Sequence, residues 1–165
     1  TLAVGAPFND GNVDNAGHVR VYSWDKTAAP DVGEWVQKGA DIEGKASGDQ
    51  SGTSVSLSDD GLTLAVGAPY NDGNDEDNAG HVRVYGWYET TAPGVGEWLQ
   101  KGADIEGEVS GDLSGTSVSL SGDGLTLAVG APFNDGNVDN AIIINIIMRV
   151  MSGFIRGIRR LLLLT

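Results

Sequence analysis

The chain opens with TLAVGAPFNDGNVDNAGHVRVY, from Thr1 to Tyr22, and this stretch returns twice. It recurs as TLAVGAPYNDGNDEDNAGHVRVY from Thr63 and as TLAVGAPFNDGNVDNA from Thr126, so the spacings are 62 and 63 residues. Self-similarity at such a period indicates a repeat architecture, in which each unit is one supersecondary motif that buries its apolar face only against its neighbours. The repeat is therefore the strongest indication of the fold class in this sequence.

Each period contains four runs with the composition of β-strands. In the first period they are Leu2–Val4, His18–Trp24, Glu34–Ile42 and Thr53–Ser58. Pro7 ends the first run because proline cannot donate to a β-ladder. Val19 and Val21 alternate with polar residues in the second run, whereas Gly39 breaks the third. The Asp-Gly pair at Asp60 and Gly61 predicts a tight hairpin between the fourth run and the next copy of the first.

These patterns predict an all-β fold. No segment before Ala141 has a sustained helical period, and short strands with periodic Gly and aromatic residues are typical of propeller blades. The tryptophans keep the repeat spacing, and we expect them to pack between blades rather than to form a ligand platform. We predict an incomplete β-propeller of four-stranded antiparallel blades with a period of 62–63 residues. It occupies residues 1–140, of which 62–124 are one full repeat period.

The sequence contains the pattern SGTSVSLSDDGLTLAVGAPYNDG, followed by AGHVRVYGW. It resembles FG-GAP repeats, the units of the β-propeller in integrin alpha chains and in many extracellular microbial and algal proteins. The family's Phe-Gly position corresponds to Ser51-Gly52 and Ser114-Gly115, its Gly-Ala-Pro segment to Val66–Pro69 and Val129–Pro132, and its following strand to His81–Tyr85.

The family's phasing places one complete blade between Ser51 and about Gly107. Residues 1–44 then supply three strands of a preceding blade, and Ser114–Pro132 two strands of a following one. The resemblance implies that further blades of a longer chain are needed to close the ring. Because the sequence begins at Thr1 inside a repeat, we interpret it as a fragment.

The charge of the chain is strongly acidic, with 10 Lys and Arg against 23 Asp and Glu. All 23 acidic residues precede Ala141, and four of the basic residues follow it. An acidic surface repels nucleic acid and anionic membranes and suits solubility, salt tolerance or divalent cations. We therefore expect no nucleic-acid partner and no membrane insertion by the repeats. The chain has no Cys, which excludes disulfides and thiolate metal sites.

Residues 141–165 read AIIINIIMRVMSGFIRGIRRLLLLT and interrupt the repeat abruptly. Polar residues break this segment too often for a membrane span of ~20 residues, and an interfacial amphipathic helix is an alternative. The repeat predicts that AGHVRVYSWDKTAAPD should follow Asn140. A DNA sequence can be written that encodes this continuation with one extra Ala codon. When its reading frame is shifted by one nucleotide, it encodes Met148–Thr165 without a mismatch. We interpret this tail, residues 141–165, as the product of a frameshift, a non-native segment that forms no domain.

The loop after each Gly-Ala-Pro segment has oxygen-bearing side chains at alternate positions. The candidate ligands are Asp10, Asn12 and Asp14, then Asp72, Asn74 and either Glu76 or Asp77, and finally Asp135, Asn137 and Asp139. Alternating oxygen ligands on a Gly-bearing loop suit calcium, but the same residues are ordinary turn formers. The resemblance adds that the family's calcium loop normally lies between Phe-Gly and Gly-Ala-Pro, where this chain has only Ser58–Gly61 and Ser121–Gly124. A calcium loop and a plain solvated loop both remain open.

No pattern in the repeats is typical of an active site. His18 and His81 begin equivalent strands, so we expect structural or surface roles for them, and no His cluster has metal-ligand spacing. We predict that the chain is not an enzyme and that calcium is the one cofactor to consider. The resemblance implies a secreted or cell-surface scaffold for protein or glycan interaction or adhesion. The alternatives are a calcium-binding structural repeat and the non-catalytic part of a glycan-acting propeller enzyme.

Overall fold

The computed structural model describes residues 1–11, 13–26, 32–73, 77–90 and 94–134, and the strand at 146–149. These residues form three antiparallel sheets. The first sheet contains β1 (Leu2–Ala6), β2 (His18–Asp25), β3 (Glu34–Gln37) and β4 (Ile42–Glu43); the second contains β5 (Ser54–Leu57), β6 (Thr63–Ala68), β7 (His81–Glu89), β8 (Gly96–Gln100) and β9 (Ile105–Glu106); the third contains β10 (Ser117–Leu120), β11 (Thr126–Gly130) and β12 (Ile146–Arg149). The predicted all-β fold is confirmed, and these described residues contain no helix long and apolar enough to span a membrane.

The second sheet is the complete blade that the phasing predicted. Its strands follow the order β5-β6-β7-β8, and β9 also pairs with β7. The outermost strand is therefore split into β8 and β9, with Gly102 at a φ of 82° between them. The same break separates β3 from β4 at Gly39, whose φ is 84°. A glycine is favoured at both positions because side chains rarely adopt this left-handed backbone conformation.

The Asp-Gly hairpin is confirmed in both copies that the structure describes. Leu57 pairs with Leu64 across the turn, and Gly61 has a φ of 66°. The Asp60 carboxylate accepts hydrogen bonds from the Ser58 hydroxyl at 2.6 Å and from the Leu62 backbone N–H at 2.9 Å. These local bonds hold the turn by side-chain to backbone contacts, as an Asx-type turn does.

The apolar core lies between the sheets, in two layers. The layer between the first and second sheets contains Val19, Val21, Ile42, Leu64 and Val66; the layer between the second and third contains Ala65, Val82, Val84, Leu127 and Val129. Strand β6 is buried along its whole length because its alternate residues belong to both layers. Blade-to-blade packing is therefore the main source of burial for these strands.

The third sheet differs from the two strands predicted for it. Strand β12 pairs antiparallel with β11, and Thr126 lies opposite Arg149. The equivalent pair in the second sheet is Thr63 opposite Gly86, so β12 occupies the register of β7. The prediction missed this strand because the tail breaks the repeat, whereas the edge of β11 offers backbone groups to any extended segment. The rest of the tail, 141–145 and 150–165, lies outside the described residues.

The tryptophans form one pair in each of the first two sheets. The rings of Trp87 and Trp98 are 5.4 Å apart, and Trp98 Nε1 donates to the Lys38 carbonyl of the first sheet at 2.9 Å. The Lys38 ammonium lies 4.8 Å from the centroid of the Trp87 ring. This pair packs between blades as expected. Trp24 and Trp35 are 45% and 50% exposed.

Replacing Trp98→Phe should lower the free energy of unfolding by about 1–2 kcal/mol, because the Lys38 carbonyl loses its donor and the inter-blade contact loses area. Urea unfolding followed by fluorescence measures this. Trp35→Phe is the matched control, since Trp35 is the equivalent residue at the uncovered face. A loss of the same size in both variants would show that the inter-blade contact contributes nothing.

Candidate functional site

Pairs of glycines bring the backbones of neighbouring blades together. Gly52, at the family's Phe-Gly position, has a φ of 90°, and its N–H donates to the Gly67 carbonyl of its own sheet at 3.0 Å. It also lies against Gly5 of the preceding sheet, where a side chain on Gly5 would overlap the Gly52 backbone. Gly115 repeats this arrangement against Gly67 at the next junction. The Phe-Gly glycine of one blade therefore packs on the Gly-Ala-Pro glycine of the blade before it.

A buried aspartate joins each pair of blades through three hydrogen bonds. Asp49 is 2% exposed; its Oδ2 accepts from the N–H groups of Lys45 and Ala46, and its Oδ1 accepts from Asn71 Nδ2 of the second sheet at 2.9 Å. Asp112 repeats this pattern with the backbone of Glu108 and Val109 and with Asn134 Nδ2 at 2.7 Å. No local pattern in the sequence predicts either residue, because Asp49 and Asn71 are 22 residues apart.

An ion-pair network links the segment after β4 to strand β7 and to the segment between β8 and β9. Asp104 Oδ2 accepts from Arg83 at 2.9 Å and from Lys45 of the first sheet at 2.8 Å, and Asp104 Oδ1 accepts from Gln100 at 2.6 Å. Burial opposes ionisation of Asp104, but these hydrogen bonds outweigh it and hold the pKa of the carboxyl below its usual range. Asp104 is therefore an anion at neutral pH and an anchor between the blades.

The candidate calcium loops are described only in part. Asp10 Oδ1 accepts from the Asn15 N–H at 3.0 Å, and Asp72 Oδ1 accepts from the Asn78 N–H at 2.9 Å, so one oxygen of each carboxylate closes its own loop. Asp14 and Asp77 each offer a backbone carbonyl to the following loop. Outside the described residues lie Asn12, Asn74, Glu76, Asp135, Asn137 and Asp139. Calcium binding by these loops stays a prediction.

Two histidines lie beside pairs of carboxylates, an arrangement that no sequence pattern predicts. His81, Asp104 and Glu106 each place one ligand-type atom within 4.8 Å of the others, and the equivalent residues of the first sheet are His18, Asp41 and Glu43. The pairing of β7 with β9 sets His81 opposite Glu106. Burial lowers the pKa of His81 to about 4, so the ring is neutral at pH 7. The sequence could not reveal the cluster because the histidine is more than 20 residues from the two carboxylates.

A cavity of about 300 Å³ opens between the outer strands of the first and second sheets. It is lined by Ala40, Asp41, Ile42, Glu43, Tyr85, Glu97 and Trp98. Three of these residues carry carboxylates, and Tyr85 and Trp98 are half-buried aromatic residues. A volume of this size lies at the lower end of the range for small-molecule sites. The junction thus offers aromatic faces and anionic oxygens to one ligand.

Comparison with known protein families supports the assignment of the repeat. The model of the FG-GAP repeat matches residues 43–85, which include the Phe-Gly position, the Gly-Ala-Pro segment and the first half of β7. No curated protein gives a significant match to the chain. The predicted resemblance is confirmed.

Proposed function

We propose that this FG-GAP repeat chain is part of a secreted or cell-surface propeller scaffold that binds a protein or glycan partner without catalysis. The repeat and its β-propeller-type blades are established by the family match and the three sheets. Binding, adhesion and location are the proposal. The proposal also includes further blades. Trp24 and Trp35 are half-exposed, whereas the equivalent tryptophan pair of the second sheet is in contact with the first sheet.

The proposal of a non-catalytic role follows from what the repeated residues do. The paired glycines, the buried aspartates and the tryptophans of the second sheet all serve contacts between blades. Such features recur because the architecture recurs, whereas an enzyme's reacting groups usually occur once in a site. Function therefore resides in surfaces that the junctions expose.

The observation that carries the proposal is the cavity between the first two sheets. Tyr85 and Trp98 are half-buried, and the exposed part of each ring is apolar surface for contact with a sugar ring or an apolar side chain. Asp41, Glu43 and Glu97 accept hydrogen bonds from sugar hydroxyls or pair with the basic side chains of a protein. Because the chain carries a formal net charge of −13, we expect a neutral or basic partner.

Binding of the full chain to a glycan array and to immobilised extracellular proteins tests this function. We expect Glu97→Ala to weaken the binding that is found by about tenfold, which corresponds to about 1.4 kcal/mol. Glu34→Ala is the matched control, because Glu34 is the equivalent exposed residue of the first sheet and lies outside the cavity. Absence of any partner above background, or equal loss in both variants, would contradict the proposal.

A further inference from the structure

We propose that the first and second sheets each bind a divalent transition-metal ion, such as zinc or manganese, through one histidine and two carboxylates. The ligands are His81, Asp104 and Glu106 in the second sheet and His18, Asp41 and Glu43 in the first. One imidazole nitrogen with two carboxylate oxygens is a mixed donor set that suits these ions. None of these ligands is a member of a candidate calcium loop, although Glu43 lies against Gly11 and Glu106 against Gly73 of those loops.

The geometry brings the three donors of each site close to a coordination sphere. Their ligand atoms lie within 4.8 Å of one another. Ligand atoms about 2.1 Å from one ion are at most about 4.2 Å apart. Side-chain rotations complete the contact if they release one oxygen of Asp104 from Lys45 or Gln100, and one oxygen of Asp41 from Arg20 or Gln37. The strand register holds this arrangement in place, because His81 lies opposite Glu106 and His18 lies opposite Glu43.

Buried atoms without partners point to a missing ligand. His81 is 1% exposed, and its Nδ1 has no hydrogen-bond partner among the residues that the structure describes. Glu106 Oε2 and the equivalent Glu43 Oε2 are also buried, and neither has a hydrogen-bond partner among the described residues. A buried polar atom left unpaired costs about 1–3 kcal/mol, and such atoms in native proteins call for an explanation. A bound cation supplies a partner to His81 and Glu106 in the second sheet and to Glu43 in the first.

Charge distinguishes the two sites. In the second sheet, Arg83 and Lys45 both pair with Asp104 and offset the charges of Asp104 and Glu106. In the first sheet, Arg20 is the one cation that pairs with these carboxylates among the residues that the structure describes, at 2.7 Å from Asp41. The first site therefore attracts a cation more strongly. The Lys45 side chain is 62% exposed and can move away from Asp104, so its removal should strengthen the second site.

Metal titration of the chelator-treated full chain tests the proposal. Zinc alone and manganese alone are the probes, and equilibrium dialysis with elemental analysis gives the number of ions bound. We expect two ions per chain. Glu43→Gln and Glu106→Gln, which preserve side-chain size, should each remove one ion or weaken it at least tenfold, and Lys45→Ala should tighten the second site several-fold. Glu34→Gln, at an exposed glutamate of β3 that belongs to neither site, is the control and should change neither.

Each outcome bears directly on one site. Loss of one ion in Glu106→Gln together with tighter binding in Lys45→Ala supports the second site, and loss in Glu43→Gln supports the first. Two ions retained by the double glutamine variant, or no stoichiometric binding by a chain whose circular dichroism shows folded strands, would overturn the proposal. Cobalt provides a second measurement, because His81→Asn should change its visible absorption if the imidazole is a ligand.

Discussion

Gly52→Ala is expected to lower the free energy of unfolding by about 3 kcal/mol or more. The substitution forces an alanine into a φ of 90°, which costs about 1–2 kcal/mol. The new Cβ also lies 2.7 Å from the His18 carbonyl oxygen and 3.1 Å from Gly5 Cα of the preceding sheet. Backbone atoms cannot move aside as a flexible side chain can, so the two sheets must separate locally.

Gly48→Ala is the matched control for this prediction. Gly48 has nearly the same φ, 86°, but no atom lies within 4 Å of its added Cβ among the residues described. We expect a loss of about 1–2 kcal/mol from backbone strain alone. Urea unfolding of both variants separates the conformational cost from the cost of pushing the blades apart. Equal losses would mean that the close approach of Gly52 to Gly5 is not needed for stability.

Asp49→Ala is expected to destabilise the chain by about 3 kcal/mol or more as well. The change leaves the N–H groups of Lys45 and Ala46 and the amide of Asn71 without their partly buried acceptor. Each buried donor left unpaired costs about 1–3 kcal/mol. Because Asn71 belongs to the second sheet, the loss should also weaken the junction between the sheets.

Asp112→Ala and Asp10→Ala complete this test by urea unfolding. Asp112 has the same three kinds of donor at the next junction, so it should show a similar loss. Asp10 is exposed and accepts one described backbone hydrogen bond, so its loss should stay near 1 kcal/mol. A loss of 1 kcal/mol or less in Asp49→Ala would show that the buried aspartates are not the links proposed from the structure.

Short-range features were predictable from the sequence because their physical causes are local. The Asp60-Gly61 turn depends on residues within five positions of each other, and the alternation of Val19 and Val21 shows directly which face of β2 is buried. The break at Gly39 was also visible, since glycine readily adopts the left-handed φ observed there. These signals, repeated at a period of 62–63 residues, predicted blades and their order.

The candidate site was less predictable because its parts are distant along the chain. His81 and Glu106 meet only through the pairing of β7 with β9, and Asp49 meets Asn71 only across two sheets. Their residue types carry no local signal that distinguishes them from surface residues. The candidate calcium ligands were predictable because they lie within a few positions of one another in the sequence.

The sequence by itself determined the all-β class, the repeat, the hairpin turns and the position of the complete blade, since strand alternation and turn chemistry act over a few residues. Tertiary structure alone decided why Gly52 must be a glycine, which aspartates join the blades, and where histidine meets carboxylate. It also decided that β12 extends the third sheet. The physical reason is that these features depend on contacts between strands and blades, whose partners are brought together only when the sheets pack.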